Sequence, residues 1–251
     1  MSEGGRESNG NCGKEIFLSI VIPAFNERSR LNKTVLETLE WCSQMTSLFE
    51  IIIVDDGSND DTLDIARSLS KTDNRVIVLA RPHLGKGAAV KVGMLNATGE
   101  FILFMDADGA TPLNEIRKLL QKMEEGYPVA IGSRVVADPK DTKVVSSFHR
   151  TFLGRIFSKA VNILAVPGIR DTQCGFKVFR KDAAKALFAV QKCNGFAFDV
   201  EILFLAKRMS LSVAEVPVNW INQKGSKVNP LSDGCKMLAD ILMLRLAHRG
   251  N

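Results

Sequence analysis

Cysteine, histidine and long apolar runs are all scarce in this sequence, and each scarcity excludes a class of protein. The 251 residues include five cysteines and three histidines, with no C-x-x-C pair or mixed cluster, which excludes a zinc module. An odd number of scattered cysteines favours free thiols in a reducing compartment. They are Cys12, Cys42, Cys174, Cys193 and Cys235. The densest apolar stretch, residues 16–25, is interrupted by Ser19 and Pro23, so no membrane-spanning helix is predicted.

The overall composition is that of a globular protein, with 45% hydrophobic and 24% charged residues. Such values exclude general disorder and a collagen-like chain. Residues 1–15 have no apolar core, so we interpret them as a disordered leader and not as a secretory signal. The remaining residues, 16–251, have a length that suits one domain.

Charge is unevenly distributed between the two halves of the chain. Residues 1–133 carry 14 Lys and Arg against 19 Asp and Glu, whereas residues 134–251 carry 19 against 9. The acidic half suits a divalent metal, and the basic half suits a phosphate or an anionic membrane surface, or is simply a solvated surface. Nucleic acid is disfavoured, because no stacking motif or helix-turn-helix pattern is found.

The first half alternates short β-branched runs with amphipathic segments, which predicts a parallel sheet with right-handed crossovers. Predicted strands are Phe17–Ile22, Glu50–Val54, Arg75–Leu79, Phe101–Met105 and Val129–Ile131. Predicted helices run over residues 35–45, from a cap at Ser58 or Asn59 to Leu69, over Gly87–Ala97, and over Pro112–Glu125.

The second half is less regular. A mobile connection is predicted at 137–147, followed by helices at 148–166, Lys181–Val190 and Asp199–Met209, with strands at Phe176–Phe179 and Glu215–Trp220. The apolar pattern from Cys235 to Ala247 predicts a helix that packs on its own domain or, less favoured, lies on a membrane surface.

Three loops with acidic or glycine residues each follow a predicted strand: VIPAFNE (21–27), VDDGSND (54–60) and FMDADGAT (104–111). Ligands of parallel sheets bind at this edge, where the strands end. Asp106 and Asp108 can turn toward one ion, and carboxylates without histidine suit Mg²⁺ or Mn²⁺. Each loop alone is also ordinary turn chemistry. Their coincidence predicts a nucleotide diphosphate, whose oxygens complete the metal's ligands.

The stretch HLGKGAAV (83–90) lacks the spacing of a phosphate-binding loop. Its two glycines lead into a helix N-terminus, where Lys86 can reach a nucleotide or phosphate. Plain helix-entry glycines explain the same pattern equally well.

Taken in order, VIPAFNE, VDDGSND, GKG, DADGAT and GSR (132–134) resemble the family 2 glycosyltransferases with a GT-A fold. GIRDTQCGFKVF (168–179), FAFDVEILFLAK (196–207) and VNWINQKGSK (218–227) closely resemble the dolichyl-phosphate β-glucosyltransferases. The resemblance implies a single-domain α/β fold, Rossmann-like, with a mostly parallel sheet flanked by helices. Residues 16–133 would form its nucleotide and metal half, and residues 134–251 its acceptor half.

The implied reaction is inverting transfer of glucose from UDP-glucose to a dolichyl (polyprenyl) phosphate. The resemblance also implies roles for individual residues. For the nucleotide sugar they are Pro23, Phe25, Glu27, Asp55, Asp56, Lys86, Asp106 and Ala107, with Asp106 and Asp108 holding the metal. For the acceptor phosphate or sugar they are Arg134, Arg150, Arg155, Gln173, Lys177, Trp220 and Lys227. Phe25 stands where relatives often have tyrosine, so a contact through that hydroxyl is missing.

Asp199 matches the position of a catalytic base in many relatives. A phosphate monoester is already mostly dianionic at pH 7, so a lesser role, such as orienting a sugar hydroxyl, is also consistent. The alternative is a helix cap at Asp199 with Glu201 solvated. Cys174 is interpreted as a packed small residue and not as a nucleophile, and Trp220 could equally belong to the core.

Relatives in this branch usually carry an N-terminal membrane helix, and this sequence starts almost directly at its first strand. We expect either that such a helix is missing from the sequence or that the protein is peripheral. The expected location is the cytoplasmic face of the endoplasmic reticulum membrane, in protein N-glycosylation, or the cytoplasmic membrane of a prokaryote.

Two other functions remain open at this point. One is transfer of mannose or another hexose from its nucleotide sugar to the same lipid. The other is a catalytically idle module that binds a nucleotide sugar or a lipid phosphate. A polysaccharide synthase is disfavoured, because neither a Q-x-x-R-W segment nor membrane spans are found.

Overall fold

The computed structural model describes residues 15–135, 144–145, 166–221, 223 and 232–248. The strands are β1 (Leu18–Ala24), β2 (Phe49–Asp55), β3 (Val76–Ala80), β4 (Phe101–Met105), β5 (Val129–Ser133), β6 (Val144–Val145), β7 (Phe176–Arg180), β8 (Val213–Pro217) and β9 (Trp220–Ile221). The helices are α1 (Leu31–Met45), α2 (Thr62–Thr72), α3 (Lys86–Asn96), a 3₁₀ turn (Leu113–Glu115), α4 (Ile116–Glu124), α5 (Lys181–Val190), α6 (Phe198–Arg208) and α7 (Ser232–Ala247).

Seven strands form one sheet in the order β3-β2-β1-β4-β7-β5-β8. The predicted mostly parallel sheet is confirmed, with one inserted exception: β7 runs antiparallel to both of its neighbours, β4 and β5. The strands β6 and β9 pair in parallel as a separate two-stranded sheet. The strand β7 therefore carries the segment around residues 174–177 against the end of β4.

The central strands are apolar on both faces because helices cover both sides of the sheet. Along β1, Ile20 and Ile22 belong to one buried cluster while Val21 belongs to the other. The same alternation holds in β4, where Leu103 lies opposite Ile102 and Phe104. Burial on both faces fixes the pairing register of the parallel strands β1, β2 and β4. Their carboxyl ends therefore lie at the same edge of the sheet.

The predicted cap of the second helix is wrong. The helix α2 begins at Thr62, and Ser58 and Asn59 do not cap it. Instead, the Ser58 hydroxyl accepts a hydrogen bond from the Asn26 backbone N–H at 2.9 Å, and the Asn59 N–H donates to Asn26 Oδ1 at 2.8 Å. These side chains therefore tie the loop after β2 to the loop after β1.

The C-terminal prediction is confirmed in its favoured form. Met237, Ile241 and Leu244 of α7 are buried in the same apolar cluster as α6, so α7 packs on its own domain. The predicted strand Glu215–Trp220 is divided between β8 and β9. In the predicted 137–147 connection, residues 144–145 form β6, and the rest lies outside the described residues, as does the predicted helix 148–166 except for Val166.

Candidate functional site

The three acidic loops meet around one cavity of about 730 Å³ at the carboxyl ends of β1, β2 and β4. Asp56, Asp106 and Asp108 all line it, as the sequence predicted. The remaining lining residues come from the end of β1, the loops after β1, β3 and β4, the start of α3, residues 192–196 and α7. They are Pro23, Ala24, Phe25, Glu27, Arg30, His83, Leu84, Gly85, Lys86, Ala89, Ala107, Lys192, Cys193, Asn194, Gly195, Phe196, Met237, Asp240, Met243, Leu244 and Ala247.

An aromatic stack forms one side of the cavity. The Phe25 ring stacks on the His83 imidazole, with centroids 4.1 Å apart and an angle of 21° between the planes. His83 Nδ1 in turn lies 2.7 Å from a carboxylate oxygen of Asp56. The stack therefore joins the loop after β1 to the loop after β3, and it offers a flat apolar surface beside polar groups.

The two aspartates that end β2 have different surroundings. Asp56 accepts hydrogen bonds from the backbone N–H groups of Leu84 and Gly85 at 3.1 and 2.9 Å, so it fixes the turn that leads into α3. Asp55 is buried, does not line the cavity, and accepts the N–H groups of Gly57 and Ser58 through Oδ2. The structure thus places Asp56 on the cavity and Asp55 in the turn behind it.

The Asp-x-Asp pair follows β4, where the strand breaks into a loop. Burial and, secondly, the neighbouring Asp106 carboxylate raise the pKa of Asp108 above its ordinary value. The Lys86 ammonium lies 2.6 Å from Asp106 Oδ1. Burial lowers the pKa of Lys86, but the carboxylates of Asp106 and Asp199 together raise it above its ordinary value. The pair is therefore a concentrated negative charge that already attracts one cation.

The residues present fit a divalent cation. Asp106 and Asp108 offer hard oxygen ligands, and the ammonium on Asp106 shows that a positive group is accommodated there. Within the described ranges, no group of three or more His, Cys, Asp or Glu side chains could hold a metal. Two carboxylates leave further coordination positions of such an ion open to other oxygen ligands.

Glycine is required at position 175 by the approach of Asp106. The Asp106 backbone N–H donates to the Gly175 carbonyl at 3.0 Å, and a Cβ at residue 175 would lie 2.0 Å from Asp106 Oδ2. That separation is far below any van der Waals contact. The family-specific DTQCGFK segment thus supplies the space in which the first aspartate of the pair sits.

A Gly175→Ala variant should displace the Asp106 carboxylate and lower both stability and activity. We expect a loss of about 1–3 kcal/mol in the free energy of unfolding, as for other overpacked sites, measured by urea denaturation. In an Asp106→Ala background the same substitution should cost less, because the clashing carboxylate is gone. Equal costs in both backgrounds would show that the contact with Asp106 is not what position 175 requires.

The structure corrects the acceptor role predicted for Lys177. Its ammonium is buried in an ion pair with Asp199 and donates to the Cys174 carbonyl at 2.6 Å. Asp199 is equally buried and does not line the cavity. The pair lies beneath the site, where Lys177 and Lys86 both face the Phe104 ring, at 5.7 and 5.3 Å. Asp199 is thus held by Lys177 next to the cavity, and its predicted role as a catalytic base stays a prediction.

Arg134, which follows β5, is paired with a carboxylate. Two of its guanidinium nitrogens donate to the two oxygens of Asp171, each at 2.8 Å. Burial disfavours the charged form of Asp171, but the bonds from Arg134 hold its pKa below the ordinary value. The guanidinium also lies 5.6 Å from the centre of the Trp220 ring. Trp220 lines a small recess together with Asp106 and Asp108, so it belongs to the site's edge.

The other predicted acceptor residues fall in different places. Gln173 donates from its amide to the sulfur of Met237 at 2.9 Å, which links the loop before β7 to α7. Cys174 is buried, and burial raises the pKa of its thiol to about 12, so its interpretation as a packed residue is confirmed. Arg150, Arg155 and Lys227 lie outside the described residues.

Sequence reasoning missed the wall formed by residues 192–196 and α7. Glu201, which the alternative for Asp199 left solvated, is buried and accepts the N–H groups of Lys192 and Cys193 at 2.9 and 2.7 Å. Its Oε1 also lies 2.7 Å from Nε2 of the buried His248, just after α7. One carboxylate thereby joins the two missed parts of the wall. The only sequence signal was its position in the FAFDVE segment.

None of the described helices is long and apolar enough to cross a membrane.

Comparisons with known proteins show which family the chain resembles. Residues 19–188 match the model of glycosyl transferase family 2. The chain is 39% identical to the dolichyl-phosphate beta-glucosyltransferase of Mus musculus, covering 92% of this chain and 75% of that protein. It is 36% identical to the enzyme of the same name from Dictyostelium discoideum, covering 96% and 77%.

Solved structures show the same fold. Glucosyl-3-phosphoglycerate synthase from Mycobacterium tuberculosis, crystallised with Mn²⁺, UDP-glucose and phosphoglyceric acid, superimposes with a TM-score of 0.63 at 19% identity, over 92% of this chain and 79% of that one. Mannosyl-3-phosphoglycerate synthase from Rubrobacter xylanophilus gives 0.66 at 19% identity, over 93% and 73%. The GT-A architecture expected from the motifs is confirmed. With the family model matched across most of its sheet and curated relatives matched across nine tenths of its length, this chain belongs to glycosyl transferase family 2.

Proposed function

We propose that this protein transfers glucose from UDP-glucose to dolichyl phosphate, with inversion at the anomeric carbon. One observation carries the proposal. In a chain 35–39% identical to curated dolichyl-phosphate beta-glucosyltransferases, Asp56, Asp106 and Asp108 line a single cavity. Its volume of about 730 Å³ is in the range of small-molecule sites.

The nucleoside end is assigned to the side of the cavity that holds Phe25, His83 and Asp56. A base can lie against the stacked rings. The Asp56 carboxylate, held in place by two backbone N–H groups, can accept hydrogen bonds from a base or ribose. Contacts from Pro23, Glu27 and Ala107, which line the cavity, remain predictions, whereas Asp55 does not line it and only shapes the turn. This orientation leaves the diphosphate over the start of α3 and the Asp-x-Asp pair.

Asp106 and Asp108 would hold Mg²⁺ or Mn²⁺ against the diphosphate. When bound, such an ion stabilises the negative charge that develops on the departing UDP. The protein's own contribution is to position the two carboxylates, through Gly175 on one and the Ala110 N–H on the other. Lys86, at the first residue of α3, supplies a further positive charge toward the same phosphates.

The acceptor requires positioning and not deprotonation, since a phosphate monoester is mostly dianionic at pH 7. The burial of Asp199 in an ion pair is consistent with a reaction that has no need of a protein base. We assign the acceptor to the side of Arg134 and Trp220, next to the recess beside Asp108. The roles of Arg150, Arg155 and Lys227 there rest on the motifs alone.

The dolichyl chain would place the enzyme at the endoplasmic reticulum membrane, on its cytoplasmic face.

The proposal is tested with the purified protein, Mn²⁺ and vesicles that contain dolichyl phosphate. UDP-glucose and GDP-mannose are offered in parallel as radiolabelled donors, and label is followed into the lipid fraction. We expect glucosyl lipid and little mannosyl lipid. Mannose transfer alone would contradict the donor, and UDP-glucose binding without any transfer would contradict the enzymatic role.

A further inference from the structure

We propose that Lys86 is a placeholder cation: it occupies the metal-binding oxygen of Asp106 until a nucleotide diphosphate draws it away. The inference rests on the proposed function, since it concerns the same metal and diphosphate. It begins from a single contact, the 2.6 Å separation between Lys86 Nζ and Asp106 Oδ1.

One carboxylate oxygen of Asp106, Oδ1, holds the ammonium in this arrangement. The other, Oδ2, lies on the side of Gly175, where a Cβ would be only 2.0 Å away. A divalent ion that binds at Oδ1 must therefore displace Lys86 or compete with it for that oxygen. Because two cations compete for one oxygen, the lysine weakens metal binding as long as it stays.

The lysine can leave, because only its side chain needs to move. The backbone before α3 is anchored by the Asp56 carboxylate, and the Ala88 N–H donates to the Asn194 carbonyl at 3.1 Å. The side chain itself is 22% exposed and lines the cavity. A diphosphate at the N-terminus of α3 offers the ammonium a stronger anion than the one it leaves.

The consequence is a coupling between nucleotide and metal beyond direct ligation. When Lys86 turns to the phosphates, Asp106 becomes free for the ion, so each ligand favours the binding of the other. Linkage requires the effect to be reciprocal. The wild-type protein should therefore hold Mn²⁺ weakly alone and tightly with UDP, and part of that difference should depend on residue 86.

The experiment measures the Mn²⁺ dissociation constant by EPR of free Mn²⁺, with and without saturating UDP. Lys86→Met removes the charge at similar length, and Lys86→Arg retains it. Lys33→Met is the matched control, because Lys33 is an exposed lysine of α1 that pairs only loosely with Glu37, at 3.8 Å. Circular dichroism and thermal unfolding establish that each variant is folded.

Without UDP, we expect Lys86→Met to bind Mn²⁺ about tenfold more tightly than the wild-type protein, equivalent to about 1.4 kcal/mol. Lys86→Arg and Lys33→Met should stay within about twofold of the wild type. The gain in Mn²⁺ affinity on adding UDP should be about tenfold smaller in Lys86→Met than in the wild type. If Lys86→Met does not fold, Lys86→Gln, which also removes the positive charge, is measured in its place with the same expected tenfold effect.

Equal Mn²⁺ affinities of the wild type and Lys86→Met without UDP would overturn the placeholder role. An unchanged coupling between UDP and Mn²⁺ in Lys86→Met would do the same. The glucosyl-transfer assay is scored separately: a wild type that binds Mn²⁺ as described but transfers no glucose would contradict the proposed function while leaving the placeholder role standing.

Discussion

An Asp108→Asn protein should lose at least about a thousandfold in kcat/KM for glucose transfer, while keeping its fold. The substitution preserves the shape of the side chain, and the remaining carbonyl oxygen can still accept the Ala110 N–H that Asp108 accepts at 3.0 Å. What it removes is one of two negative charges in the pair, and with it a hard ligand for the metal. Charge stabilisation by a metal ion is worth several kcal/mol, and each tenfold in rate corresponds to about 1.4 kcal/mol.

The comparison is made at saturating Mn²⁺ with UDP-glucose and dolichyl phosphate. Asp64→Asn is the control, because Asp64 is an aspartate of α2 with 82% of its side chain exposed. The control should transfer glucose at the wild-type rate. Near-normal turnover of Asp108→Asn would remove the metal site from the mechanism.

The second large effect is expected on stability, from Lys177→Met. Removing the lysine leaves the Asp199 carboxylate buried without its ion-pair partner. Breaking a buried ion pair in this way costs about 3–5 kcal/mol, which urea denaturation at pH 7 would measure. Lys181→Met, at an exposed lysine four residues along, should change the free energy of unfolding by less than about 0.5 kcal/mol.

A double variant distinguishes a supporting pair from a catalytic base. Lys177→Met combined with Asp199→Leu removes both charges, so it should be less destabilised than Lys177→Met alone. The behaviour of Asp199→Asn decides the role of Asp199 itself. If that protein kept wild-type stability and yet lost transfer, the base role expected from the motifs would be correct and the supporting role wrong.

Local pattern was enough to predict most of the elements and the centre of the site. Phe101–Met105 and Lys181–Val190 agree with the predicted bounds, because their apolar spacing and flanking residues lie within one segment. The site residues Asp106 and Asp108 were predicted for the same reason, because they follow a strand whose apolar sequence indicates burial. The convergence of the loops on one edge then follows from the parallel order of β1, β2 and β4.

The burial of two charged residues depends on long-range packing and could not be predicted from the local sequence. The local pattern around Lys177 predicts an exposed polar residue in a strand, but β7 lies between β4 and β5 and the side chain is buried there. The local pattern around Glu201 is that of a solvated helix residue, but His248, 47 positions later, lies against it. In both cases the partner lies in a distant segment, so no local signal distinguishes a buried charge from an exposed one.

The antiparallel strand also limits how this enzyme could have been assembled. Because β7 comes from residues 134–251 yet lies between β4 and β5 of residues 16–133, neither part of the chain has a complete sheet without the other. A fragment ending after β5 would leave one edge of β4 and both edges of β5 unpaired, and open strand edges invite aggregation. Suppose that residues 134–251 were swapped between relatives to exchange acceptor specificity. The swap would then also transfer Gly175, which makes room for the Asp106 carboxylate, along with any new acceptor surface.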